Sequence, residues 1–146
     1  MRRDCIFCKI IKDELPSFKI YEDDDLLVIL DKFPRNSGEC LVITKKHYDT
    51  LFDLDPALGT KIFDISQRLA IKIKENYPID GLNLLQNNGE SAGQQISHFH
   101  LHVMPRYDLD SVVIAGKTIS PSDEEFEEAA EKLRLNNQGW LCPQPN

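Results

Sequence analysis

The 146-residue chain has no long apolar run, which excludes a membrane-spanning helix of ordinary length. Its start, Met1-Arg2-Arg3-Asp4, leads straight into Cys5 without the apolar stretch of a secretory signal. The expected setting is therefore the cytoplasm, with no membrane partner. Cysteine is scarce, with four in the chain, and without a secretory signal these do not suggest a disulfide framework. Tryptophan occurs once, at Trp140 in the tail. An excess of positive charge is missing too: the formal net charge is −7. That argues against a polymeric nucleic-acid partner held by a general basic surface. One nucleotide held by local donors in a cleft stays compatible with it.

What is present reads as an ordinary globular chain, 41% hydrophobic and 28% charged. The length suits one domain spanning 1–146 with a real core. The acidic runs Asp23-Asp24-Asp25 and Asp123-Glu124-Glu125 read as a turn and a helix start. Residues 6–12 suit a short N-terminal helix ending before Pro16. Phe18 to Tyr21, Leu26 to Asp31, Cys40 to Thr44 and Leu82 to Gln86 read as strands. Ile62, Ile65, Leu69 and Ile73 recur at helical spacing, so one long amphipathic helix runs from Pro56 to about Asn76. Asn87 to Gly93 is a Gly-containing loop. A last helix is expected over about 122–135, capped by Ser120 or Ser122. Strands surrounding one long helix imply an α+β fold with an antiparallel sheet.

Histidine is as scarce as cysteine, at four residues, yet three of them fall in the run His98-Phe99-His100-Leu101-His102-Val103. In a strand, alternate side chains share a face. The three imidazoles would then line one ridge, roughly 7 Å apart, with Phe99, Leu101 and Val103 on the other face. Such a ridge suits a metal site, nucleophilic and acid–base catalysis on an anionic substrate, or simply a wet strand face.

The run resembles the signature of the histidine triad (HIT) family, His-φ-His-φ-His-φ-φ, completed here by Val103 and Met104. The resemblance takes in Asn87-Asn88-Gly89-Glu90-Ser91-Ala92-Gly93-Gln94 upstream and Pro105-Arg106 downstream. It also takes in Cys5-Ile6-Phe7-Cys8, Val28-Ile29-Leu30-Asp31 and the segment from Gly38 to His47. It covers about residues 4–107, fades over 108–146, and is closest to the Hint-like and bacterial branch with a Cys-x-x-Cys pair. It implies a compact fold with a five-stranded antiparallel sheet, continued across a homodimer.

The resemblance also implies roles. Cys5, Cys8, His47 and His98 match positions that hold zinc in many bacterial relatives. Four protein ligands would close the coordination sphere and make that zinc structural; a pair of reduced thiols or a redox pair is the other reading. His98 would then serve the metal, leaving His100 and His102 for chemistry. His100 matches the nucleophile that attacks the α-phosphorus of a nucleotide derivative and forms a nucleotidyl-imidazole. His102 and Gln94 match phosphate contacts, and Gln95 stands where relatives often carry a hydroxyl residue, a place from which it would donate to the phosphate or leaving group. Asp31 matches the ribose-binding carboxylate, and Asn87 a contact to the bound nucleotide. Arg106 suits either phosphate steering or a surface role. The implied substrates are purine nucleoside phosphoramidates or dinucleoside polyphosphates, with AMP or GMP released.

One position departs from the family pattern. Gly38-Glu39-Cys40-Leu41-Val42-Ile43 carries Glu39 where relatives carry a histidine. A carboxylate beside His100 would favour imidazolium and repel phosphate; the alternatives are that Glu39 turns outward, or hydrogen-bonds the imidazole and orients it. That leaves a second function open, a nucleotide-binding or scaffold protein with weak turnover, and a third, a zinc-stabilised interaction module. Trp140 is a candidate contact to a partner subunit's site.

Overall fold

A computed structural model describes residues 4–114 and 116–135. Trp140 and Cys142 lie outside the described residues. The chain divides into two compact units, one ending at Val112 and the other beginning at Val113.

The first unit holds a short helix α1 (Ile6–Ile11), strands β1 (Lys19–Glu22), β2 (Leu26–Leu30) and β3 (Cys40–Thr44), the long helix α2 (Ala57–Asn76), and strands β4 (Gly81–Leu85) and β5 (His100–Arg106). The five strands form one antiparallel sheet in the order β1-β2-β3-β5-β4. In the second unit, α3 (Asp123–Leu133) starts at Ser122, whose hydroxyl accepts from the Glu125 amide while the Glu125 carboxylate accepts from the Ser122 amide. This reciprocal pair satisfies two amides that the first helical turn leaves open.

The sheet is covered on both faces, which is why β2 and β3 read as unbroken apolar runs. Period-two alternation sorts their residues. Leu26, Val28, Cys40, Val42, Phe99 and Val103 pack with the α2 stripe of Leu58, Ile62, Ile65, Leu69 and Ile73. Leu27, Ile29, Leu41 and Ile43 pack instead with Phe7 and Ile10 of α1. Burying each large aliphatic side chain stabilises the fold by about 2 kcal/mol. The register of β5 on β3 pairs Val42 with Leu101, Leu41 with His102 and Ile43 with His100. His100 and His102 therefore share the face of Leu41 and Ile43, the face that α1 covers.

The expected elements form, with shifted ends. The strand expected from about Ser97 starts at His100. Its predecessors leave the ladder because the chain turns away from the sheet after Thr44. The Phe99 amide donates to the Tyr48 carbonyl at 2.6 Å, and the His98 amide folds back on Ile96 O. The α2 helix stops where the Tyr77 amide caps Ile73 O at 2.8 Å, just before Pro78, which disfavours a helical residue ahead of it.

Candidate active site and metal centre

Two clusters lie on the α1 side of the sheet. The first begins at the helix. Cys5 caps α1, its Sγ accepting from the Cys8 amide at 3.5 Å. Residues three apart on a helix share a side, so both sulfurs point the same way. They meet His98, from the approach to β5, and His47, from the chain beyond β3. Cys5 Sγ lies 3.3 Å from His98 Nδ1, and Cys8 Sγ lies 3.3 Å from His47 Nδ1. The four ligand atoms all fall within 4.8 Å of one another.

The outer nitrogens decide the tautomers. His98 Nε2–H donates to the Thr44 carbonyl at 2.7 Å, and His47 Nε2–H donates to Asp49 Oδ1 at 3.0 Å. Both Nδ1 lone pairs are thereby aimed at the thiols. Engaging the outer nitrogen is how proteins orient metal-binding imidazoles. Burial pushes the His98 pKa down to about 4, so the ring is neutral and able to ligate. Neither Cys5 nor Cys8 is in a disulfide among the described residues. Two thiols and two oriented imidazoles fit a closed tetrahedral metal site of structural type. Asp49 and Thr44 escape a reading of the sequence; a carboxylate two residues past His47 is the one local hint.

The second cluster surrounds His100. Its Nδ1–H donates to the His98 carbonyl at 2.7 Å, which leaves the Nε2 lone pair without a hydrogen bond among the described residues. The residue is 8% exposed, and its ring packs edge-on to Phe7, with centroids 5.0 Å apart. Burial holds its pKa below the usual histidine value, and the nearby His102 adds to this. A neutral imidazole with a free Nε2 is the form that acts as a nucleophile.

His102 stands beside it, with ring centroids 5.2 Å apart. Its Nδ1 is 2.9 Å from Glu39 Oε1 and 3.7 Å from Asp31 Oδ2. The expectation that Glu39 would sit against His100 is therefore corrected: its partner is His102. Register is the reason. Leu41 pairs with His102, and Glu39 lies two residues further along the same face, away from His100. Glu39 is buried, and its Oε2 accepts from the Arg35 amide at 2.6 Å. Asp31 follows directly on β2. Its Oδ1 accepts from the Phe33 amide at 2.9 Å, and its own amide donates to Glu39 O.

The loop before β5 is held by its own side chains. Gln94 is fully occupied by the backbone. Its Nε2 donates to Asp49 O at 2.6 Å and Ile96 O at 3.1 Å, while Oε1 accepts from the Gly89 amide at 2.7 Å. These bonds make Gln94 a brace of the loop. Asn87 Nδ2 reaches Gly93 O at 3.4 Å, across the loop. Gly93 sits at φ +82°, a conformation that side chains disfavour. Gln95 is exposed. Asn88 Oδ1 accepts from the Leu51 amide at 2.6 Å and ties this loop to the one carrying Asp49. Arg106 is a structural anchor, paired twice with Asp110 at 2.7 and 2.8 Å and donating to Asn83 Oδ1 and Val112 O. Cys40 lies on the opposite face, and burial lifts its thiol pKa to about 11.

A ridge of alternate histidines, split between a cluster with two thiols that could hold a metal ion and the imidazole pair of His100 and His102, is the pattern of a class of small α+β proteins. The chain belongs to the HIT family: the HIT domain matches residues 12–109. It is 40% identical over 119 residues to the adenosine 5′-monophosphoramidase of Saccharomyces cerevisiae, covering 82% of this chain and 73% of that one. It is 36% identical over 145 residues to the adenylylsulfatase of Arabidopsis thaliana, covering 99% and 73%. A HIT family protein from Bacillus anthracis shares the fold at TM-score 0.85 and 38% identity, over 90% of this chain and 96% of that one. A zinc-bound histidine triad protein from Mycobacterium smegmatis aligns at TM-score 0.71 and 36% identity, over 84% and 86%. Among the described residues, no helix is long and apolar enough to cross a membrane.

Proposed function

We propose that this protein hydrolyses purine nucleoside phosphoramidates or dinucleoside polyphosphates at the α-phosphorus, releasing AMP or GMP. The observation that carries this reading is the hydrogen bond from His100 Nδ1 to the His98 carbonyl at 2.7 Å. It leaves Nε2 as the attacking atom. The lone pair of Nε2 forms a bond to the α-phosphorus, the bond to the leaving group breaks, and a nucleotidyl-imidazole results. Water then attacks phosphorus and the pair returns to Nε2. Splitting the displacement in this way is ordinary covalent catalysis.

In this reading Asp31 accepts from the ribose hydroxyls, and His102 faces the phosphate. Asn87 and Gln95 border it, while Gln94 keeps their loop in shape. The relatives named as phosphoramidase and adenylylsulfatase act on substrates of this chemical kind. Zinc held by Cys5, Cys8, His47 and His98 is structural in this scheme. The edge strand β4, with Leu84 exposed, supplies unpaired backbone groups for a sheet continued into a second copy. The weak-turnover alternative leaned on Glu39 beside His100, and that support weakens with Glu39 bonded to His102.

The test is AMP release from adenosine 5′-phosphoramidate by the wild-type protein and by His100→Ala. Release that disappears in the variant supports the reading. Absence of release from wild-type protein that binds AMP overturns it in favour of a binding protein.

A further inference from the structure

Glu39 is the least expected residue near the histidines, and its surroundings are specific. The side chain is fully buried, and both oxygens face donors. Oε2 accepts from the Arg35 amide at 2.6 Å, Oε1 lies 2.9 Å from His102 Nδ1, and the Arg35 guanidinium stands 3.8 Å from Oε1. A carboxylate met by donors on both oxygens acts as the acceptor. The proton between Glu39 and His102 therefore sits on Nδ1. Asp31 Oδ2, at 3.7 Å, approaches the same nitrogen.

We infer that Glu39 is a positioning residue: its buried carboxylate holds the Nδ1 proton of His102 and so makes Nε2 the nitrogen that exchanges a proton with the leaving group. This rests on the hydrolase reading above and deepens it. A neutral imidazole can carry its proton on either nitrogen, and the bond to Glu39 selects one. A second proton taken up at Nε2 makes a positive ring, offset by Glu39 and Asp31 on its other side. Such a ring completes the first half-reaction. As His100 Nε2 bonds to phosphorus, the bond from phosphorus to the leaving nitrogen or oxygen breaks, and the departing atom keeps the electron pair. His102 Nε2–H gives that atom its proton and returns to the neutral ring, still bonded to Glu39. In the second half-reaction the attacking water gives a proton back to Nε2.

Substituting the carboxylate by an amide removes this selection, because Gln can turn its NH2 toward Nδ1 and hold the opposite tautomer. Two measurements test the inference. In wild-type, zinc-loaded protein, a two-bond proton–nitrogen correlation spectrum is expected to show His102 protonated at Nδ1, with that signature changed in Glu39→Gln. A wild-type ring protonated at Nε2 alone overturns the inference, whatever the variant does. Turnover is then compared on two substrates, adenosine 5′-phosphoramidate and the p-nitrophenyl ester of AMP, whose phenolate departs without needing a proton. Glu39→Gln is expected to lose about 100-fold in kcat/KM on the phosphoramidate, the range of general-acid catalysis. The loss there should exceed the loss on the ester by tenfold or more. Equal losses on both substrates would show a merely structural role and overturn the inference. Wild-type protein inactive on both substrates would overturn the hydrolase reading instead, and the proton-donor role with it, while the His102 spectrum still reports whether Glu39 selects the tautomer.

Discussion

The backbone carbonyl of His98 accepts the Nδ1 proton of His100 at 2.7 Å, while the His98 ring itself turns to Cys5 and to the Thr44 carbonyl. One residue thus joins the candidate metal cluster to His100. Holding the His98 ring holds the carbonyl that orients His100. A second link runs from His47 through Asp49, whose carbonyl accepts from Gln94 in the active-site loop.

Metal removal should therefore cost both stability and activity. Purified protein is expected to contain about one zinc per chain, held by the closed donor set. A site filled a thousandfold above its Kd contributes about 4 kcal/mol. Chelation, or Cys8→Ala, should lower Tm by about 10 °C in calorimetry. An unchanged Tm in fully chelated protein would rule out a structural metal.

Asp31→Asn should weaken recognition of the sugar. Losing one charge-assisted hydrogen bond costs about 1.5–3 kcal/mol, so KM for an adenosine nucleotide should rise by about tenfold or more. The difference between wild type and variant should shrink on an analogue that lacks the ribose hydroxyls. A variant with unchanged KM on the ribose substrate would remove Asp31 from the sugar site.

The end of β5 should be a point of acid sensitivity. Asp110 accepts from Arg106, Asn36 and the amides of Tyr107 and Val112. The Arg106 guanidinium holds its carboxyl far below the usual carboxylate range. A depressed folded pKa stabilises the fold above the unfolded value, and that contribution fades as pH falls through the folded value. Wild-type Tm should thus fall as pH drops below about 4. Asp110→Asn should start from a lower Tm at neutral pH and show a shallower decline in that window. Parallel pH profiles for the two proteins would contradict this.

Leu69 lies in the middle of the buried stripe of α2. Leu69→Ala should cost about 2–5 kcal/mol through lost burial and the cavity left behind. Denaturant unfolding checks this: the midpoint should move down while the slope stays unchanged. A cost below about 1 kcal/mol would mean that α2 repacks freely over the sheet.

Much of this architecture is legible in the order of residues. Alternation places Phe99 and Val103 on the α2 side and His100 and His102 on the other. The 3-4 spacing of Ile62, Ile65, Leu69 and Ile73 marks α2, and the expected cap at Ser120 or Ser122 falls on Ser122. The roles of Glu39, Gln94 and Arg106 are not legible there, because each depends on contacts far away along the chain. The strand signal in the histidine run also overreaches by two or three residues, since nothing local reveals that Phe99 bonds to Tyr48 instead of to β3.

The sequence alone therefore determined the sheet strands, the long helix and the ridge of alternate histidines, because alternation and helical spacing are local properties of the chain. Only the tertiary structure decided the division of labour among the histidines. The β3–β5 register put Glu39 on His102, and the turn before β5 gave His98 to the thiols. Those choices rest on where strands and loops meet in space, and no local pattern encodes them.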